Sequence, residues 1–260
     1  MQIITSLESY IQYIESLPSD FNLSRGQQKR YPLFPSGLRH DMNGKKLYSR
    51  QQLKSFLEDF KIEAFHYITN ANSVDNDMEW SIYAQHFGLP TQLLDFSYSH
   101  LVSLMFAIED AFQYKENDSD ESDLQENHSI VYFLSPSKLN HQTIGEERIL
   151  NISFKGNESY LNGADICAIC SKKNNERIIA QNGAFVYFPY GASSLESLES
   201  AEKFLRSVLV PHCEGRKILA SLYRIGMRFD KLYPELASVS KDIKLKHNVQ
   251  EYIWQGDTYE

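Results

Sequence analysis

The chain has 260 residues, of which 42% are hydrophobic and 13% aromatic, so it is large enough to bury a substantial core. Its net charge of −8 and pI of about 5.5 argue against general nucleic-acid binding, because no overall positive field attracts a polyanion. Neither a signal-peptide pattern nor a long apolar run is visible, so we expect a cytoplasmic protein with no membrane contact. We also expect a single domain over residues 1–260.

The first part of the chain is predicted to be mainly helical. Amphipathic or apolar patterns predict four helices, over residues 5–17, 48–68, 78–87 and 101–108. Thr5 and Glu8 are spaced as a capping box at the start of the first helix. A short alternating run at 21–26 is typical of a strand that closes on a glycine turn.

An acidic excursion at 115–127 divides the sequence, and we interpret it as a solvated loop without a functional role. Beyond it, short β-branched and aromatic runs predict strands over 129–134, 149–154, 166–169, 178–180, 184–188 and 204–210. A last helix is predicted over 213–225, followed by a tail whose docking residues are Leu232, Tyr233, Leu236 and Val239. Helices followed by a mostly antiparallel sheet place the chain in the α+β class.

Three cysteines occur, too few for a disulfide framework. Cys167 and Cys170 form a Cys-x-x-Cys pattern, but a tetrahedral metal site needs four ligands and no second pair follows at suitable spacing. We therefore expect no metal and interpret these thiols as structural.

The polar segment 85–95 is the most informative part of the sequence. Gly88 and Pro90 impose a bend between four polar side chains, Gln85, His86, Thr91 and Asp95. Asp95 is placed to fix one tautomer of His86 and leave the other imidazole nitrogen for a ligand. The alternative is a structural corner held by hydrogen bonds to the backbone, and for Thr91 a turn-capping role is favoured.

Cationic residues in the first 40 positions outline an anion-binding cleft. Arg25 precedes Gly26 and Gln27, where the backbone can turn sharply, and Arg39 lies on the next loop. The planar guanidinium matches phosphate, and the alternative explanation of Arg25 is a surface ion pair. Later in the chain, Glu176, Arg177 and Gln181 flank the hairpin signal Asn182-Gly183.

With these residues assembled, the sequence resembles the FRG domain family over roughly residues 5–240. Five segments carry the resemblance: Ser24-Arg25-Gly26-Gln27, the loop 32–39, the block 85–95, the helix residues 104–107 and the run 177–185. Two positions depart from the family pattern, since Ser24 replaces an aromatic residue and Phe96-Ser97 stands where Trp-Thr is usual. Family members occur in bacteria and phages, which implies stress, toxin or antiviral defence roles.

A more distant similarity to ADP-ribosyltransferases implies a chemistry. Those enzymes also carry an arginine followed by glycine on an early strand, then a serine-bearing strand, a small-residue helix and a late Glu or Gln. The similarity implies two groups of site residues. The catalytic group is His86, Asp95, Gln181 and Glu176; the NAD-binding group is Arg25, Gly26, Gln27, Arg39, Gln85, Thr91, Ser97 and Arg177.

The leading hypothesis is therefore an NAD-consuming ADP-ribosyltransferase or NAD glycohydrolase that acts in phage–host conflict or as a toxin, with a protein as a candidate acceptor. Two alternatives remain open. One is a non-catalytic module for ligand sensing or protein interaction. The other is an RNA-targeting toxin in which His86 acts as a general base.

Overall fold

The computed structural model describes residues 1–68, 71, 74, 76–114, 127–153, 161, 163–172, 179–180, 182–233 and 235–257. Within these ranges the chain forms eight α-helices and an eight-stranded mixed sheet, which confirms the α+β class. The helices are α1 Leu7–Ser16, α2 Arg50–Ala64, α3 Asp77–His86, α4 His100–Ala107, α5 Pro136–Ile144, α6 His212–Arg224, α7 Phe229–Leu232 and α8 Leu236–Asp257. The strands are β1 Gln2–Ile3, β2 Leu23–Gln27, β3 Leu93–Ser97, β4 His128–Leu134, β5 Leu150–Asn151, β6 Cys167–Cys170, β7 Gly183–Tyr187 and β8 Leu205–Pro211.

The strands are arranged in the order β1-β8-β4-β2-β3-β7-β6-β5. Only the outermost pairs, β1 with β8 and β5 with β6, are parallel, so the sheet is mostly antiparallel as predicted. The centre of the sheet differs from the predicted chain order, in which the helices come first and the strands of the sheet follow. Strands β2 and β3 come from the helix-rich first part and lie side by side in the middle of the sheet.

Helices cover both faces of the sheet. On one face α1, α4, α6, α7 and α8 pack around a core that includes Tyr10, Met105, Phe133, Val208 and Leu219. On the other face the core contains residues from α2, α5 and the loops, among them Leu53, Leu139, Phe188 and Phe204. No helix in the ranges given above has the length and apolar character needed to cross a membrane.

Several local predictions need correction. The first helix is capped by Ser6 and Ser9 rather than by Thr5 and Glu8, since each of these serines accepts the other's backbone N–H at 3.1 Å. Ile179 and Ala180 are helical rather than part of a strand. In the tail, Leu232 is buried as predicted, whereas Leu236 is 85% exposed and Val239 43% exposed. The acidic residues 115–126 lie outside the described ranges.

Candidate functional site

The two central strands separate soon after they meet. Among the described residues, β2 and β3 share one paired position, Ser24 with Ser97, although each pairs over five positions with its other neighbour. A continuous antiparallel ladder would next have joined Arg25 to Phe96 and Gly26 to Asp95. Instead the strands diverge, and a cavity of about 400 Å³ opens at the break. This volume lies within the range of small-molecule sites.

Close packing of α4 on β2 explains the glycine in the Arg-Gly pair. A Cβ atom on Gly26 would lie 1.8 Å from the carbonyl oxygen of Ser103 and 2.8 Å from the backbone nitrogen of Ala107. Neither atom can move without displacing the helix. Glycine is therefore required at this position, where the α4 backbone contacts the strand that carries Arg25.

The Arg25 guanidinium spans the gap between the strands. Its Nη1 donates to the backbone oxygen of Asp95 at 2.8 Å, and its Nε donates to Oε1 of Gln27 at 3.2 Å. The Asp95 carboxylate lies 3.9 Å from Nη1, with a side chain that is 56% exposed against 21% for Arg25. Arg25 thus donates a hydrogen bond to the Asp95 backbone carbonyl, which the interrupted strand pairing would otherwise expose to solvent.

Arg39 adds a second guanidinium to the same cavity. Burial lowers the pKa of Arg25, the neighbouring Asp95 raises it, and the repulsion from Arg39 lowers it further. Arginine nevertheless remains charged in proteins. Two like charges at the wall of a cleft attract anions, because a bound anion relieves their repulsion.

The residues at the end of α3 form the facing wall. Gln85 and His86 both line the cavity, and Gly88, with a φ of +90°, turns the chain away from the helix toward β3. Thr91 does not line it; its hydroxyl donates to Oε1 of Gln85 and accepts the backbone N–H of Leu93 at 3.2 Å. Thr91 therefore joins α3 to β3 and orients the Gln85 amide.

The remaining predicted site residues fall into two groups. Gln27 and Ser97 line the cavity; Nε2 of Gln27 donates to the backbone oxygen of Tyr31 at 2.8 Å, and the Ser97 hydroxyl accepts the N–H of Ser99 at 2.9 Å. Glu176, Arg177 and Gln181 lie outside the described residues. The cavity therefore brings together eight of the predicted residues: Arg25, Gly26, Gln27, Arg39, Gln85, His86, Asp95 and Ser97.

Sequence reasoning missed another part of the lining. Gln28 reaches the cavity from the residue after β2, Phe106 from α4, Glu109 from the turn after α4, and Tyr233 from the C-terminal tail. Burial raises the pKa of Glu109, although Lys241 lowers it. The one available signal was the acidic Glu109 directly after a buried apolar helix.

A polar network begins at the cavity wall, because Ser24 and Ser103 both line the cavity. The Ser24 hydroxyl donates to Oγ of Ser103 at 2.9 Å and lies 2.8 Å from Nδ1 of His100. Burial lowers the pKa of His100, while a hydrogen bond to the backbone of Phe21 opposes this. The network provides a physical reason for a serine at position 24.

The Cys-x-x-Cys pattern does not form a chelating pair. Cys167 and Cys170 lie three residues apart on β6, so they project to opposite faces of the sheet. Cys167 is buried in the core, and burial and the neighbouring Asp165 raise its pKa to about 12. Across the part of the chain that the structure describes, no group of three or more His, Cys, Asp or Glu residues is arranged to hold a metal.

Together these features define an α+β protein with a cleft at a break between two central strands, lined by two arginines and two carboxylates. Residues 22–116 match the family model of the FRG domain, which confirms the resemblance over that segment. The match includes the whole of β2, α3, β3 and α4, and therefore Arg25, His86 and Asp95. No curated protein and no solved structure matches the chain.

Proposed function

We propose that the cleft binds NAD or a related nucleotide and that the protein transfers or hydrolyses its ADP-ribose portion. The observation that carries this proposal is the position of Arg25, whose guanidinium stands at the strand break beside a second guanidinium, Arg39. Planar guanidinium groups bind phosphate oxygens through paired, charge-assisted hydrogen bonds. A pyrophosphate is the ligand group that two such neighbours fit best.

The other predicted residues supply roles around that anion. Arg25 and Arg39 hold the phosphates, Gly26 and Gln27 form the adjacent wall, and Gln85 and Ser97 offer hydrogen bonds to a ribose. His86 and Asp95 face the same cavity, where they orient the nicotinamide ribose. Arg177, Glu176 and Gln181 keep their predicted roles as proposals, because they lie outside the described residues.

The proposed chemistry breaks one bond and forms another. The bond between C1′ of the ribose and the nicotinamide nitrogen breaks, nicotinamide leaves with the electron pair, and an oxocarbenium-like state develops on the sugar. Water or a hydroxyl of an acceptor then adds to C1′ and gives up its proton. The Asp95 carboxylate lies in the cavity, where it stabilises the positive sugar and accepts that proton.

Release of nicotinamide from NAD tests the proposal. We expect wild-type protein to release it, Arg25→Gln to do so at least about tenfold more slowly because charge-assisted contacts are lost, and Arg206→Gln to be unaffected. Arg206 is a matched control, since it also lies on a strand but is exposed and outside the cavity. An Arg25→Gln variant that is folded and as active as wild type would overturn the assignment.

Ligand sensing without turnover is the second candidate. Arg25 already contacts Asp95 across the strand break and Gln27 on its own strand, so a nucleotide that binds Arg25 alters the contact between two strands. In that case nucleotides would raise the melting temperature of wild type but not of Arg25→Gln, and no nicotinamide would appear. The role in phage–host conflict or as a toxin belongs to the same proposal and requires infection or growth assays.

A further inference from the structure

We propose that Phe106, Glu109 and Tyr233 form a subsite for the base of the nucleotide and select a purine that bears an exocyclic amine, such as adenine. The inference rests on the proposed function and deepens it, because it assigns the base-binding end of the same cleft. All three residues line the cavity. Tyr233 lies outside the segment that matches the FRG domain, so this end is built partly by the C-terminal tail.

Two aromatic rings supply the stacking surface. Phe106 at the end of α4 and Tyr233 after α7 contact each other with ring centroids 5.4 Å apart and planes inclined at 47°. Aromatic side chains stack on any base, because every base has a π face. The rings therefore account for binding of a planar base but not for its identity.

Glu109 supplies the selectivity. Its Oε1 accepts from Nε2 of Gln28 at 3.3 Å, and its Oε2 lies 3.4 Å from Nζ of Lys241. A carboxylate has about four lone-pair sites, so these two contacts leave acceptor capacity toward the cavity. Burial disfavours the charged form of Glu109, as its raised pKa indicates, and an N–H donor from a ligand would restore lost solvation.

The position of the subsite fits a nucleotide held at Arg25. Gln28, which contacts Glu109, is three residues beyond Arg25, or roughly 10 Å along an extended chain. One ribose connects a base to its phosphate over a comparable span. Arg25 and Gln28 leave the strand toward opposite faces of the sheet, so a nucleotide with its phosphate at Arg25 and its base at Glu109 passes through the break between β2 and β3, whose cavity Arg25 and Glu109 both line.

Calorimetry with three probes tests the subsite: AMP, purine riboside 5′-monophosphate, which lacks the amine, and ribose 5-phosphate, which lacks the base. We expect wild type to bind AMP about tenfold more tightly than the amine-free analogue, because a hydrogen bond to a partly buried charge is lost. In Glu109→Gln the amide oxygen accepts a hydrogen bond from Lys241, and the amide N–H groups cannot accept one from the amine of the base. The preference for AMP over the amine-free analogue should therefore disappear. Asp110→Asn is the matched control: Asp110 contacts the same Gln28 but does not line the cavity, and the preference should persist.

Tyr233→Leu provides a second test that does not change charge. It should weaken both base-containing probes several-fold and leave ribose 5-phosphate unchanged. If all probes bind wild type but AMP is not preferred, or Glu109→Gln retains the preference, the subsite is wrong while the nucleotide cleft stands. If none of the probes binds wild type, the cleft assignment fails together with the subsite.

Discussion

Arg25 and Asp95 are joined across the break between β2 and β3 by a hydrogen bond of 2.8 Å from the guanidinium to a backbone carbonyl, with the Asp95 carboxylate 3.9 Å away. The contact replaces a missing piece of the strand ladder with a side chain. It also places a cation where both strands turn toward the cavity. The same geometry therefore joins the two strands and places Arg25 at the proposed anion site.

Asp95→Asn should strengthen ADP-ribose binding while it slows nicotinamide release. The carboxylate competes with a phosphate for Arg25, and as a partly exposed partner it contributes about 0.2–1 kcal/mol, so affinity should rise about 1.4–5-fold. Turnover should fall because the group that accepts the proton is lost. Calorimetry and nicotinamide release measure the two effects separately, and Asp59→Asn on α2 serves as an exposed control. Weaker ADP-ribose binding by Asp95→Asn would contradict the assigned competition.

Gly26→Ala should destabilise the fold by about 3 kcal/mol or more, since the new methyl group overlaps the α4 backbone. Gly191→Ala is the matched control, because nothing lies within 4 Å of the added Cβ and the backbone is not left-handed there. Urea unfolding followed by circular dichroism measures both variants. Equal stability of the two would mean that α4 does not pack on β2 as described.

His100 should make the fold less stable in weak acid. Burial lowers its pKa in the folded state, so between pH 7 and 5 the unfolded chain takes up a proton that the folded chain resists. Stability from this residue is therefore present above the unfolded pKa of about 6.5 and is lost as the pH falls toward the folded value. Unfolding free energies at pH 7, 6 and 5 should decline less steeply in His100→Asn than in wild type. His247 is exposed, so His247→Asn should retain the wild-type slope of unfolding free energy against pH. Equal slopes for all three proteins would exclude His100 as a cause of the loss of stability in acid.

Thiol labelling should separate Cys213 from Cys167. Cys213 is exposed and should react with a thiol reagent at once, whereas Cys167 is buried with a pKa near 12 and should react only after unfolding. Cys213→Ser should abolish the fast phase. Formation of a Cys167–Cys170 disulfide in the folded protein would contradict their placement on opposite faces of β6.

Local sequence patterns were sufficient for part of the site. Arg25-Gly26 and the bend between His86 and Asp95 are recognisable because a turn and its polar side chains lie within a few residues of each other. Glu109 and Tyr233 could not be found in this way, because 124 positions separate them and they meet only through the packing of the tail on α4. The break between β2 and β3 is equally non-local, since it depends on how two distant strands diverge.

Crystals of the protein soaked with ADP-ribose offer the most direct test of the cleft. We expect electron density for the pyrophosphate within hydrogen-bond distance of Arg25 and Arg39, at the point where β2 and β3 separate. Clear density for the ligand elsewhere, with none beside Arg25 at saturating concentration, would contradict the nucleotide site.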